Sequence, residues 1–210
     1  MRFTDLDAVT VDGYGTLLAL VDPAPALSRA LAERGVERTP EQISLAFADE
    51  VAYYRPRAHL GRDAESLAEL RHECTVVFLA ALGVSVDPGA FAPSFVGALR
   101  FTPVPGAVET LKLLRDRGLA LAVVANWDCA LAGHLADLRL GRLFAAVVTS
   151  AEVGVPKPDP APFRLALDRL GVKPSRALHV GDEPADKAGA LAVGMRFVPA
   201  PLAHAFEGWR

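Results

Sequence analysis

After Gly106 the sequence alternates short, almost wholly apolar runs with stretches of helical spacing, a pattern that few folds accept. Residues 119–125 (Leu-Ala-Leu-Ala-Val-Val-Ala), 144–149, 177–180 and 195–198 read as strands. Residues 108–117, 130–140, 160–170 and 185–193 read as helices. Strands that are apolar on both sides and separated by helices predict a parallel sheet covered on both faces, a three-layer α/β sandwich. One further strand stands far upstream, at residues 6–12. It ends in Asp12, and Gly13-Tyr14-Gly15-Thr16 follows, with glycines suited to a tight turn.

Between them, from Leu17 to about Arg100, the spacing is helical and no strand is expected. Helices are predicted around 26–31, from Thr39 to about Tyr54, from Asp63 or Ser66 to Leu82, and near 88–99. Thr39 with Gln42 three residues later has the form of a capping box. Pro23 and Pro25 at one joint and Pro103 and Pro105 at the other suit a hinged insertion. The expected division is an α/β core of residues 1–17 and 102–210, with a helical unit of 18–101 inserted after the first strand.

A chain of 210 residues supports one core of ordinary size carrying such an insertion. Its net charge of −3 and the lack of a basic run argue against nucleic-acid binding through phosphates. No apolar run is long enough to span a bilayer, and Met1-Arg2-Phe3-Thr4-Asp5 reaches an acidic residue too early for a secretion signal. Cys74 and Cys129 lie far apart and suit a reducing, cytoplasmic setting. Neither Gly-x-Gly-x-x-Gly nor Gly-x-x-x-x-Gly-Lys occurs where a nucleotide would need it, so no organic cofactor is expected.

A parallel sheet gathers the residues just past its strands at one edge, and ligands bind there. Strand by strand, that set is Asp12, Tyr14 and Thr16; Asn126 and Asp128; Ser150, Glu152 and Pro156-Lys157-Pro158; and Gly181-Asp182-Glu183 with Asp186. One lysine among several carboxylates is costly without a cation, and hard oxygen ligands suit Mg²⁺.

Val11-Asp12-Gly13-Tyr14-Gly15-Thr16-Leu17 resembles the first motif of the haloacid dehalogenase superfamily. Ala125-Asn126 falls at its second motif, Lys157 at its third and Gly181-Asp182…Asp186 at its fourth, in the right order. The resemblance covers residues 7–20 and 103–200. It implies a Rossmann-like core with a helical cap after the first strand, which the segment of 18–101 matches. It also implies that Asp12 is a nucleophile forming an aspartyl intermediate, that Thr16 orients it, and that Lys157 holds Asp12 and the substrate's charge. Asp12, Asp182 and the Tyr14 carbonyl would hold Mg²⁺, with Asp186 as a nearby ligand or as a partner for Lys157. Asn126 would touch the transferred group, and Tyr14 and Trp127 would face the substrate.

Two positions depart from the phosphatases of that superfamily. Tyr14 stands where an aspartate protonates the leaving oxygen, and Ala125 where a hydroxyl binds phosphate. A first motif with Tyr14 is similar to that of 2-haloacid dehalogenases, whose halide needs no proton. Asp182 points the other way, since with Glu183 and Asp186 it would repel a haloacid's carboxylate. The leading expectation is therefore a Mg²⁺-dependent phosphatase for small metabolites with good leaving groups. The alternatives are a metal-independent dehalogenase and a binding protein that has lost turnover. A small-molecule substrate and a monomer or homodimer are expected. His179 reads as a packed core histidine and Cys129 as an inert small hydrophobe, while Arg55 or Arg57 could meet an anion.

Overall fold

The computed structural model describes residues 5–209. Residues 1–4, on which the reading of the chain's start rests, lie outside that range. The strands are β1 (Ala8–Val11), β2 (Leu18–Leu20), β3 (Phe101–Pro103), β4 (Ala120–Ala125), β5 (Ala146–Thr149), β6 (Ala177–Gly181) and β7 (Arg196–Pro199). The helices are α1 (Ala24–Ala32), α2 (Pro40–Tyr54), α3 (Ala64–Ala81), α4 (Pro88–Ala98), α5 (Ala107–Asp116), α6 (Leu131–Asp137), α7 (Ser150–Val153), α8 (Ala161–Leu170), α9 (Pro184–Ala192) and α10 (Leu202–Ala205). Among them no helix is long and apolar enough to cross a membrane.

Five strands form one parallel sheet in the order β5-β4-β1-β6-β7, which places β1 at its centre. Alternation then sorts each strand's side chains between two layers. Val9, Val11, Leu121, Val123, Leu178 and Val180 pack with Leu111 and Leu114 of α5 and Leu131 and Leu135 of α6. Ala8, Ala122, Val124 and Ala177 face Phe163, Ala166 and Leu167 of α8 and Ala190 of α9. The three-layer α/β sandwich is therefore present, with the strand ends converging beside Asp12.

The stretch expected to be wholly helical is not. Leu18–Leu20 pairs antiparallel with Phe101–Pro103, and Val21 N–H donates to the Arg100 carbonyl at 2.8 Å. Leu-Ala-Leu has no local strand signature, and its partner lies about 80 residues away, so only the folded chain supplies the pairing. The helix expected over 130–140 is also shorter, because Arg139 takes a left-handed φ of 58° after α6.

Helices α1–α4 enclose a hydrophobic cluster of their own, with Leu27, Leu31, Ile43, Phe78, Phe91 and Phe95 fully or almost fully buried. Both starts read from the sequence hold. The Thr39 hydroxyl accepts from Gln42 N–H while the Gln42 side chain accepts from Thr39 N–H, and Asp63 caps α3 through Ser66 N–H. Each such cap is worth about 1 kcal/mol.

Glu50 of α2 is buried in this segment beside Cys74 of α3. Burial pushes its carboxyl up from 4.5 to about 7, against the opposing pull of Cys74. The folded state therefore keeps a proton that the unfolded chain releases, so stability is lost as pH rises from about 4.5 to 7, by up to about 3 kcal/mol. Glu50→Gln is expected to raise the melting temperature relative to the parent at pH 8 and to change it little at pH 5. An equal difference at both pH values would remove Glu50 as the cause.

Candidate active site

Asp12 begins the turn after β1, where its N–H donates to the Val180 carbonyl at 2.9 Å and its carboxylate is almost fully buried. Lys157 reaches it from the loop after α7. The buried ammonium donates to Asp12 Oδ1, to Asp186 Oδ1 at 2.5 Å and to the Val124 carbonyl at 2.9 Å. Burial pushes the Asp12 carboxyl up to about 7, against the pull of the Lys157 ammonium. Burial would also raise Asp186, but the hydrogen bond from His179 and the charge of Lys157 outweigh it, and that carboxyl sits at about 2. Burial opposes the charge on Lys157, and the two carboxylates more than restore it, so the ammonium is held above its ordinary pKa.

Asp186 lies in the first turn of α9, and its Oδ2 accepts from Glu183 N–H at 3.0 Å. Its role at the helix start and its contact with Lys157 are thus one arrangement. Gly181 makes room for it, since a Cβ there would stand 2.3 Å from the Asp186 carboxyl carbon. His179 is packed in the core, as its neighbours suggest, edge-on to Phe163 at 5.0 Å. Burial depresses its pKa and keeps the ring neutral.

The turn after Asp12 brings a third carboxylate in. Gly15 has a φ of 84°, and a Cβ on it would meet Asp182 Oδ2 at 2.5 Å. The backbone can therefore approach Asp182 only as glycine. The Thr16 hydroxyl donates to Asp182 Oδ1 at 3.1 Å, so it steadies Asp182 and not Asp12, the partner that the resemblance implies. One oxygen each of Asp12, Asp182 and Asp186 lies within 4.8 Å of the others. Three carboxylates against one ammonium leave two negative charges, the charge and ligand chemistry that a hard divalent cation balances. Tyr14 is half exposed at the rim.

Asn126 is taken up by the protein itself. Its amide donates to the Lys157 carbonyl at 3.1 Å and accepts from the Lys157 N–H at 2.7 Å, which anchors the lysine's loop to the end of β4. Trp127 is buried against Phe101, with ring centroids 5.0 Å apart, and its backbone is held on both sides by Ser150 Oγ. The Ala125 methyl lies where a Cβ on Gly13 would be 2.9 Å away. Cys129 is exposed, so it does not fill space as a small hydrophobe; desolvation and the nearby Asp128 carboxylate raise its thiol pKa, which lowers its thiolate fraction.

Contacts that no sequence motif signals appear where the helical segment meets the strand ends. The Tyr54 hydroxyl donates to buried Asp128 Oδ2 at 2.8 Å, and Cys129 N–H donates to the Gly61 carbonyl at 2.9 Å. Burial and the Asp128 carboxylate push the Tyr54 phenol well above its ordinary pKa, so it stays a donor. Arg55 pairs with Glu183, next to Asp182. Arg57 instead bonds the Tyr53 carbonyl at 2.9 Å and lies over the Tyr53 ring.

This geometry can be set beside known proteins. A segment of 91 residues, 43% of the chain, is 53% identical to the haloacid dehalogenase-like hydrolase domain-containing protein 3 of Mus musculus, and spans 36% of that protein. A segment of 101 residues, 47% of the chain, is 43% identical to a phosphoserine phosphatase of Thermus thermophilus and spans 41% of it. The match thus spans well under half the length of either curated relative. The L-2-haloacid dehalogenase structure of Xanthobacter autotrophicus superposes with a TM-score of 0.66 at 27% identity, covering 96% of this chain and 82% of that one. The family model for haloacid dehalogenase-like hydrolases matches residues 6–194, which include β1–β6 and the positions of Asp12, Lys157, Asp182 and Asp186. With nearly the whole described fold inside that match, the chain belongs to the haloacid dehalogenase-like hydrolases.

Proposed function

We propose that the protein is a Mg²⁺-dependent phosphatase acting on a small phosphorylated metabolite through an aspartyl-phosphate on Asp12. The observation that carries this reading is the convergence of Asp12, Asp182 and Asp186 on one lysine. Asp12 and Asp182, with the Tyr14 carbonyl, would hold the cation. Asp186 has Oδ1 filled by two donors and serves Lys157 first. When bound, Mg²⁺ supplies positive charge that lowers the Asp12 pKa and draws in a phosphate dianion.

An Asp12 carboxylate oxygen attacks phosphorus, the P–O bond to the leaving group breaks, and water later cleaves the acyl phosphate to free Asp12 and phosphate. Lys157 holds the attacking carboxylate in place and offsets charge on the transferred group. The helical segment of residues 18–101 acts as a cap over this edge, seated by Tyr54 on Asp128 and by Arg55 on Glu183. With Tyr14 in place of a proton donor, leaving groups that need no proton are favoured. Acyl and aryl phosphates should turn over about 10²–10⁴ times faster than an alkyl phosphate such as phosphoserine.

Tyr14 and the fold shared with the Xanthobacter enzyme favour a second reading, a metal-independent 2-haloacid dehalogenase. One experiment separates the two. Phosphate release from acetyl phosphate and 4-nitrophenyl phosphate is measured with Mg²⁺ and with EDTA, alongside halide release from 2-chloropropionate. Phosphate release that EDTA abolishes is expected. Halide release indifferent to EDTA would replace the phosphatase reading, and tight ligand binding with neither product would point to a protein that only binds.

A further inference from the structure

The mechanism proposed above leaves unused a buried polar chain that runs from the middle of the sheet to Asp12. In the parallel register of β1 and β6, Thr10 stands opposite His179. Both are fully buried on the α8 side of the sheet, where apolar residues are the rule. Thr10 Oγ1 is 2.7 Å from His179 Nδ1, and His179 Nε2 is 3.2 Å from Asp186 Oδ1. That same Oδ1 takes the Lys157 ammonium at 2.5 Å, and Lys157 also donates to Asp12.

The partners decide where the ring's hydrogen sits. A carboxylate oxygen only accepts, so Nε2 carries the hydrogen and Nδ1 is left to accept from the Thr10 hydroxyl. Asp186 is then held by three donors: His179 Nε2 and Lys157 Nζ on Oδ1, and Glu183 N–H on Oδ2. Hydrogen-bonding groups placed behind a charged site in this way orient it without touching the ligand.

We infer that His179 is a positioning residue: held by Thr10 as the Nε2–H tautomer, it fixes the Asp186 carboxylate so that the Lys157 ammonium is aimed at Asp12. Without that N–H, Asp186 Oδ1 has one donor fewer and draws Lys157 toward itself, at the expense of Asp12. The inference rests on the reading that Asp12 and Lys157 do the chemistry, and it applies to phosphate and halide release alike.

Steady-state kinetics on acetyl phosphate with Mg²⁺ would be compared for the parent, His179→Leu, His179→Gln, His179→Asn and Thr10→Val. Each melting temperature would be recorded. His179→Leu and His179→Asn are expected to lower kcat by about 10–100-fold with KM nearly unchanged. His179→Gln, whose amide nitrogen can reach the place of Nε2, should recover most of the loss, and Thr10→Val should fall between. Equal kcat in folded His179→Leu, or equal losses in Gln and Asn, would overturn the inference. The ¹⁵N spectrum of histidine-labelled parent protein reads the tautomer without any turnover and covers a leucine variant that does not fold. An Nε2–H signature for His179 is expected, and an Nδ1–H tautomer would also overturn the inference. A parent enzyme releasing neither phosphate nor halide would instead count against the function proposed above, and the tautomer would then test the His179 arrangement separately.

Discussion

Asp12→Asn is expected to lower phosphate release by about 10⁴-fold or more, which is about 5 kcal/mol or more of barrier, while leaving the melting temperature at least as high as the parent's. The amide has nearly the carboxylate's shape but cannot attack phosphorus to form the acyl phosphate. Its effect on stability runs the other way. The parent buries Asp12 and Asp186 against a single Lys157, and burial already pushes the Asp12 carboxyl up to about 7. The variant leaves Lys157 paired with Asp186 alone, one charge against one, with the asparagine oxygen still able to accept from the ammonium. Turnover and thermal melts on the same preparation check both halves. Activity within tenfold of the parent would remove Asp12 as the nucleophile, and with it the proposed chemistry.

Lys157→Met should also abolish turnover, but with a large loss of stability. Methionine fills similar space without charge and leaves two buried carboxylates facing each other. Breaking a buried ion pair by removing one partner costs about 3–5 kcal/mol. For a chain of this size that is a fall of about 10 °C in melting temperature. The pH dependence has a definite sign. Two uncompensated carboxyls bind a proton more tightly in the folded state than in the unfolded one, so the lost stability returns as pH falls from 8 toward 5. Lys157→Arg should not restore activity, because a planar guanidinium does not fit a site sized for an ammonium held by Asp12, Asp186 and the Val124 carbonyl. A melting temperature for Lys157→Met within 2 °C or so of the parent at pH 8 would show that the lysine is not compensating these charges.

Much of the site was legible because parallel sheets have one catalytic edge. Once four apolar runs were read as parallel strands, Asp12, Lys157, Asp182 and Asp186 had to fall at the same end, and the structure brings them together. The partners of the polar side chains were not legible. Thr16 meets Asp182, Asn126 clasps the backbone of Lys157, and Tyr54 crosses from the helical segment to Asp128. Each of these depends on how loops close over one another, and residue spacing along the chain does not record that.

The class of the fold, the placing of its main helices and strands, the capping of α2 and α3, and the set of residues gathered at one edge of the sheet can all be read along the chain. All of these come from local periodicity, capping and turn chemistry, which act over a few residues. Tertiary structure alone decided the strand order, the β2–β3 ribbon, and the pairing of Thr10 with His179 and so with Asp186. Those contacts join residues as far as 169 apart. They exist only because β1 is flanked by β6 in one register, and a shift of a single residue would turn Thr10 to the opposite face of the sheet.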